Sequence, residues 1–484
     1  MEAAAPRTPS SGRDAGWLAG ADLLAVAMAF FGQILLVQSL AAEDYGWMVL
    51  AVDLYASLFL IIDLGLPTLL ARDGANAPNM VWPAVKRTYR WQLVAAIPFL
   101  LMALVVQPER WINLDAPRLL LVVAGLIALT HVASYAPRSG LRALGEARTE
   151  AISKVMERGV TVCGYGVLYA QGSTSVIAFA GAFLCGATVG WLWALISLMR
   201  KAPPAPSVQQ WEGLSDAWVS NQRLIFAALP FAITLAVLPY VIRLEKFLVA
   251  GASGAELAAV FHVAQLAWLA GLVVPAALRS ALLPVLGQFR DEPSRLHQEM
   301  NQALDMCFAL LPYGLFGGYL TVSLLAPLAF PTPYLDGTYG ASAVDLFAVL
   351  LAGWGLTLLA TPTYTSLMAG RYPWRFTKFI FSVLVVAAVL GSLFVLELAE
   401  KDGSILYAAA VASSLSAGAL LVLSWWMSGH QAFVEQRRDE WALALVCSGF
   451  VVVGLATHTL WWVFGVPLFL FTPQGWRAVR STLH

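Results

Sequence analysis

Predominantly apolar runs of roughly twenty residues recur along this chain, and no other feature limits its fold as strongly. A helix needs about 20 apolar residues to cross the hydrocarbon layer, whereas a barrel strand is about 10 residues long and alternates in polarity. A helix also satisfies its backbone N–H and C=O groups internally, as lipid requires. The runs therefore predict an all-α, polytopic transmembrane protein.

About fourteen runs are long enough to be membrane spans. They cover approximately 17–39, 47–71, 91–107, 118–137, 151–171, 174–199, 222–250, 256–284, 303–329, 341–369, 374–397, 404–428, 441–456 and 458–472. The last two form one nearly continuous apolar run, which we divide between Gly454 and His458.

Composition supports a membrane protein and argues against several other classes. Hydrophobic residues make up 59% of the 484 residues and charged residues only 12%, against about 25% charged in soluble domains. The net charge of zero gives no indication of a nucleic-acid partner. Cys163, Cys185, Cys307 and Cys447 lack metal-ligand spacing, and no glycine-rich nucleotide loop is present, so we expect no metal and no cofactor.

The positions of Lys and Arg predict the orientation. With the N-terminus inside, the external loops hold only Arg110, Arg118 and Lys401. The cytoplasmic loops and their flanks hold Arg72, Lys86, Arg87, Arg90, Arg138, Arg142, Arg148, Lys154, Arg158, Arg200, Lys201, Arg290, Arg295, Arg371, Arg375, Lys378, Arg437, Arg438, Arg477 and Arg480. This asymmetry follows the positive-inside rule and predicts a multi-pass protein of the cytoplasmic (inner) membrane with both termini cytoplasmic.

A polar segment with three prolines, Pro203, Pro204 and Pro206, separates two halves of six spans each. Both halves then begin on the same side of the membrane, as parallel repeats do. We predict an N-terminal six-helix lobe (1–201), a cytoplasmic linker (202–221), a C-terminal six-helix lobe (222–430), and a C-terminal transmembrane hairpin with a cytoplasmic tail (431–484).

Five segments, in their order and spacing, resemble the oligosaccharide (O-antigen) flippase family of the multidrug, oligosaccharidyl-lipid and polysaccharide exporter superfamily. They are the acidic turn AAEDYG (41–46), the second-span segment IIDLGLPTLLAR (61–72), the basic segment after span four (138–158), the seventh span (226–254) and the loop SLMAGRYPWRF (366–376). The sequence departs from the family at Ala258, where Gly is usual, and at Arg243 to Lys246, where an Asp–Arg pair is usual.

The resemblance implies two six-helix lobes that form a V around a central cavity and work by alternating access. It implies a flippase, not an enzyme, that moves a polyprenyl-diphosphate-linked oligosaccharide from the cytoplasmic to the outer leaflet for cell-surface polysaccharide synthesis. Membrane lipids, a polysaccharide polymerase and chain-length components are the implied partners. A peptidoglycan-precursor flippase and a multidrug or cation antiporter of the same superfamily remain alternatives. A membrane glycosyltransferase or polymerase is disfavoured, because external loops on the order of ten residues offer little room for acid and base residues.

Polar side chains within the spans are the candidate substrate residues, because a charge at bilayer depth costs about 2.5–3.5 kcal/mol. Arg243 and Lys246 share a helix face with Tyr240 on span seven, and Arg binds phosphate oxygens bidentately. A weak internal repeat places Gln33 one residue from Lys246, which makes Gln33 the predicted partner of this cluster in the cavity. The substrate candidates are Arg243, Lys246, Gln33, Tyr240, Asp22 and Asp63.

Four further residues are candidates for ion coupling: Asp53, His131, His262 and Glu245. Imidazole titrates near physiological pH and can carry a proton during transport. Each of these side chains has a structural alternative, as a hydrogen-bonding group or one member of an ion pair within a lobe.

The topology can be tested by cysteine labelling in a background that lacks the four native cysteines. We expect cysteines at Ser173 and Gly337 to react with a membrane-impermeant maleimide added from outside, because both positions lie in predicted external turns. A cysteine at Arg437 should react only after the membrane is opened. Labelling of that position in intact cells would contradict the orientation.

Overall fold

The computed structural model describes residues 11–74, 77–105, 117–204, 216–289, 291–370, 372–398, 404–429 and 438–483. These residues form helices joined by short turns, with no strand among them. The chain divides into two compact units, unit 1 (Met1–Pro239) and unit 2 (Tyr240–His484).

Unit 1 contains seven α-helices and the first half of an eighth. They are α1 Ser11–Ser39, α2 Ala42–Phe59, α3 Leu66–Asp73, α4 Val81–Val105, α5 Arg118–Ala143, α6 Ala147–Ala170, α7 Val176–Lys201 and α8 Asn221–Ser253.

The rest of α8 belongs to unit 2, together with nine further α-helices. They are α9 Ala255–Gly271, α10 Val273–Gln288, α11 Pro293–Ala329, α12 Ala343–Ala369, α13 Pro373–Gly391, α14 Ser404–Ser428, α15 Arg438–Ala456, α16 Gly465–Leu470 and α17 Pro473–Leu483.

Within the described residues, ten helical stretches are long and apolar enough to cross a membrane. The protein is therefore an all-α, multi-pass membrane protein, as the apolar runs predicted. The predicted spans 91–107, 151–171 and 222–250 fall in α4, α6 and α8, which are long but carry several charged residues. The last predicted span, 458–472, is a 3-10 turn, Leu460–Phe464, followed by the short helix α16.

A left-handed turn interrupts the second predicted span, so the prediction of one continuous run over 47–71 is wrong. Leu64 and Gly65 have φ values of 54° and 66°. A Cβ atom on Gly65 would lie 2.6 Å from the carbonyl oxygen of Ala228 and 2.6 Å from the backbone nitrogen of Ala232, both on α8. The backbone of α8 therefore packs directly on the turn, and only glycine provides both the φ angle and the space.

Trp218 packs in the interior of unit 1, just before the start of α8. Its side chain is buried, and its indole Nε1 donates to Asp73 Oδ2 at 3.0 Å. Arg87 Nη1 donates to the carbonyl oxygen of Trp218 at 2.6 Å. Trp218 lies within the segment predicted as a linker, 202–221, so the C-terminal end of that segment packs into unit 1. Residues 205–215 lie outside the described residues, and the linker itself stays a prediction.

Helix α15 is fixed to α11 in unit 2 through one aromatic side chain. Trp441 Nε1 donates to Asp305 Oδ1 at 2.9 Å. The Trp441 ring also stacks on Phe308, with 4.6 Å between centroids and 19° between planes. The last helices of the chain thus pack against the longest helix of unit 2.

We expect Gly65→Ala to destabilise the protein by about 3 kcal/mol or more, because it adds a backbone clash to left-handed strain. Thermal unfolding of the purified protein in detergent measures this. Gly145→Ala is the matched control, since Gly145 also has positive φ (73°) but no atom within 4 Å of its Cβ position. The control should lose only about 1–2 kcal/mol. Equal losses in both variants would contradict the packing account.

Candidate functional site

Helix α6 carries a stripe of polar side chains along one face. Glu150, Lys154, Glu157 and Thr161 follow one another at spacings of three or four residues, which places them on one face. Both carboxylates are buried. A buried carboxylate needs hydrogen-bond or ion-pair partners. The residues that contact Glu150 and Glu157 therefore form the polar interior of unit 1.

Two glycines of α7 allow this helix to pack closely over the polar stripe of α6. A Cβ atom on Gly190 would lie 2.7 Å from the Cβ atom of Glu157, and one on Gly186 would lie 2.6 Å from the Glu157 carbonyl oxygen. Small residues four positions apart let two membrane helices approach closely. The Gly186 and Gly190 pair therefore brings α7 against the backbone of α6 at the level of Glu157.

Three cationic or titratable side chains surround the Glu157 carboxylate. Arg138 on α5 donates from Nη2 to Glu157 Oε2 at 2.7 Å and from Nε to the Ser153 hydroxyl at 2.9 Å. His131, also on α5, places Nε2 3.2 Å from Glu157 Oε1. Arg158 places Nε 3.7 Å from the same oxygen. We refer to Glu157, Arg138, His131 and Arg158 as the Glu157 cluster.

The ring of Phe183 on α7 borders this cluster. It lies edge-on to His131 at 5.4 Å between centroids, and the Arg158 guanidinium lies 5.6 Å from its centre in a cation–π contact. The His131 Nε2 atom is buried and lies within ion-pair distance of Glu157. His131 and Arg158 thus both lie beside the carboxylate and against the Phe183 ring.

A second group of charges surrounds Glu150. Arg142 contacts both carboxylate oxygens, through Nε at 3.0 Å and through Nη2. Lys154 Nζ lies 3.6 Å from Glu150 and donates to Asp22 on α1 at 2.7 Å. Asp22 is exposed and joins α1 to α6. Its predicted place in a substrate cavity stays a prediction.

In unit 2, Lys246 and His262 lie next to each other, although Lys246 was predicted to bind substrate and His262 to couple transport to ions. Lys246 is buried on α8, and its Nζ lies 3.3 Å from Nδ1 of His262 on α9. The neighbouring Glu245 is buried on another side of α8, where its Oε1 accepts from the Ser416 hydroxyl of α14 at 3.5 Å. Glu245 Oε2 has no hydrogen-bond partner in the described part of the chain.

Two further substrate candidates, Gln33 and Asp63, belong to unit 1. Gln33 is half-buried, and its Oε1 accepts from the hydroxyl of Tyr45 at 2.8 Å. Asp63 is buried at the left-handed turn, where it accepts from Gln92 Nε2 at 3.4 Å and from the backbone N–H of Gly65. The role of Asp63 in transport stays a prediction.

Three candidates remain: Asp53, Arg243 and Tyr240. Asp53 on α2 and Arg243 on α8 are half-buried. The side chain of Tyr240 lies outside the described residues. The roles predicted for these residues, and the predicted pairing of Gln33 with Lys246, stay predictions.

Except for His131, the residues of the Glu157 cluster were not among the predicted site residues. The positive-inside rule places Arg138, Arg142, Lys154 and Arg158 in or beside a cytoplasmic loop, where basic residues are common. The signal that could have revealed the cluster is the spacing of Glu150, Lys154 and Glu157 on one helix face. The glycine pair in the following span was a second signal.

The sequence matches no protein-family model and no curated protein. Its fold, however, is shared with solved membrane transporters. The lipid II flippase MurJ in an inward closed conformation aligns with a TM-score of 0.65 at 10% identity, over 96% of this chain and 97% of the flippase.

Two further structures share the fold over a smaller part of this chain. An inward-facing multidrug resistance MATE family transporter of the MOP superfamily aligns with a TM-score of 0.63 at 16% identity, over 85% of this chain and 96% of that one. A MOP superfamily transporter from Pyrococcus furiosus aligns with a TM-score of 0.57 at 16% identity, over 86% and 95%. The chain therefore has the fold of MOP superfamily transporters.

We expect Arg138→Met to destabilise the protein by about 2 kcal/mol, because it removes the guanidinium that hydrogen-bonds the buried Glu157 carboxylate. The double variant Arg138→Met, Glu157→Met should recover part of this loss, since the buried carboxylate is then removed together with its hydrogen-bond partner, although Arg158 also loses its carboxylate. Thermal unfolding in detergent compares the two. Lys201→Met is the control: Lys201 pairs with Glu146 at the surface, where loss of a pair costs below about 1 kcal/mol. A double variant as unstable as the single one would contradict the pairing.

Proposed function

We propose that this chain is a flippase that moves a polyprenyl-diphosphate-linked oligosaccharide from the cytoplasmic to the outer leaflet of the inner membrane. The observation that carries the proposal is the extent of the shared fold. The lipid II flippase shares the fold over 96% of this chain, whereas the inward-facing and outward-facing MATE transporters share it over 85% and 90%. The fold shared with the flippase thus extends over more of this chain than the fold shared with the drug transporters.

The charges within the helices support a substrate with an anionic head group. A diphosphate must cross a layer where charge is costly, and cations in a hydrated cavity offset that cost. Unit 1 holds Arg138 and Arg158, and unit 2 holds Arg243 and Lys246, all within long helices. Alternating access then requires that the substrate bind the inward and outward states with different affinity.

The proposal extends to the synthesis of the glycan. A glycan delivered to the outer leaflet needs a polymerase and chain-length components there, and in this proposal the protein itself makes and breaks no covalent bond. A peptidoglycan precursor carries the same diphosphate linkage. It is a second substrate of the same chemical class, and the fold shared with the lipid II flippase favours testing it.

A multidrug or cation antiporter is the second candidate function, favoured by the fold shared with MATE transporters. The two histidines that lie beside charged or titratable groups, His131 and His262, would suit proton coupling. A drug antiporter would transport organic cations and would show no preference for a diphosphate-linked lipid.

Reconstitution into vesicles distinguishes these candidates. Purified protein is incorporated with a fluorescent polyprenyl-diphosphate disaccharide, a fluorescent lipid II or ethidium, and transbilayer movement is followed by quenching from outside. We expect movement of the disaccharide lipid above protein-free vesicles and no pH-driven accumulation of ethidium. Ethidium transport without lipid movement would favour the antiporter over the flippase. Movement of lipid II without movement of the disaccharide lipid would identify the substrate as the peptidoglycan precursor.

We expect Arg243→Ala to lower the rate of disaccharide-lipid movement by at least about 10-fold, the value of one charge-assisted contact. Lys246→Ala should have a smaller effect. Arg243→Lys should recover part of the rate if charge suffices and little if bidentate geometry matters. Arg200→Ala, at the exposed end of α7, is the control and should transport normally. Normal transport by the Arg243→Ala, Lys246→Ala double variant would exclude this pair from the substrate path.

A further inference from the structure

We infer that the Glu157 cluster in unit 1 is a binding site for the phosphoryl groups of the substrate, with Arg158 as its principal contact. The inference rests on the proposed function, since it specifies which residues meet the diphosphate. It differs from the sequence-based prediction, which placed this contact on Arg243 and Lys246 of α8.

The cluster carries an excess of positive charge. In the described part of the chain, the guanidinium groups of Arg138 and Arg158 pair with one carboxylate, that of Glu157. The neighbouring group shows the balanced alternative, because Arg142 and Lys154 are matched there by Glu150 and Asp22. An unbalanced cation inside a membrane helix bundle is costly, and an anion bound beside it removes that cost.

Donor groups of Arg158 remain available in the cluster. Arg138 uses two of its nitrogens on Glu157 and Ser153. The Arg158 Nε atom lies 3.7 Å from Glu157 Oε1, beyond hydrogen-bond distance. A phosphoryl group offers several oxygens, and arginine is well suited to bind them with two parallel bonds.

The cluster lies midway along its helices. His131 lies near the middle of α5, and Arg158 lies near the middle of α6. Transporter substrate sites lie near the bilayer midplane. The Arg158 side chain is 31% exposed and is the most exposed member of the cluster. The Phe183 ring holds the Arg158 guanidinium in place before a ligand arrives.

The test measures binding of a short isoprenoid diphosphate to the purified full-length protein. Farnesyl diphosphate is the probe, and farnesyl monophosphate, farnesol and inorganic pyrophosphate are the comparison ligands. We expect Arg158→Gln to raise the Kd for farnesyl diphosphate by about 10-fold or more, as loss of a charge-assisted contact does. Arg148→Gln is the matched control, because Arg148 is an exposed residue of the same helix that stacks on Trp17. The control should bind as the wild type does.

The outcomes separate this site from the proposed function. Wild-type protein that binds farnesyl diphosphate no more tightly than farnesol would overturn both. Tight wild-type binding that Arg158→Gln leaves unchanged would overturn the site alone. Binding of pyrophosphate as tight as that of farnesyl diphosphate, with both lost in Arg158→Gln, would support a phosphoryl site whose ligand is a free anion.

A second variant tests the site if the Arg158→Gln protein does not fold. Should Arg158→Gln unfold, Phe183→Leu removes only the ring that holds the guanidinium and should weaken binding by about 3-fold. Unchanged binding by a folded Phe183→Leu protein, together with unchanged binding by Arg158→Lys, would count against a site that depends on an oriented guanidinium.

Discussion

The low dielectric of the membrane interior makes every buried charge depend on its neighbours, and the interior of unit 1 is arranged around that requirement. The stripe on α6 places two buried carboxylates inside the unit, Glu150 in the first turn of the helix and Glu157 near its middle. Arg142 and Arg138, one turn apart on α5, reach one carboxylate each. The glycine pair of α7 then closes the other side by direct backbone approach. Helix contacts in this unit therefore follow from the positions of its charges as much as from apolar packing.

Unit 2 meets the same requirement by other means. Its buried lysine lies beside an imidazole, and its buried glutamate accepts a hydrogen bond from a hydroxyl. An imidazole can gain or lose a proton near physiological pH, whereas a guanidinium keeps its charge. The contact between Lys246 and His262 can therefore change with protonation, whereas the guanidinium of the pair in unit 1 stays charged.

The sequence was sufficient to predict the helical membrane fold, because hydrocarbon thickness sets the length of each apolar run. It could not predict the break at Leu64 and Gly65, since that turn depends on contact with α8, whose residues lie more than 160 positions away. The distribution of basic residues also led us to place Arg138 and Arg158 in or beside a cytoplasmic loop. Only the packing of α5, α6 and α7 shows that these side chains point into a helix bundle, and no single segment contains that information.

The contact between α15 and α11 bears on how the chain is made. Asp305 precedes Trp441 by 136 residues, which corresponds to roughly 7–27 s of synthesis at about 5–20 residues per second. Phe308 therefore leaves the ribosome before Trp441 by an interval of this length, and during that time the ring that will stack on Phe308 is absent. The insertion machinery, a membrane chaperone or surrounding lipid must cover Phe308 until translation is nearly complete. The last helices of the protein therefore determine when unit 2 can finish assembling.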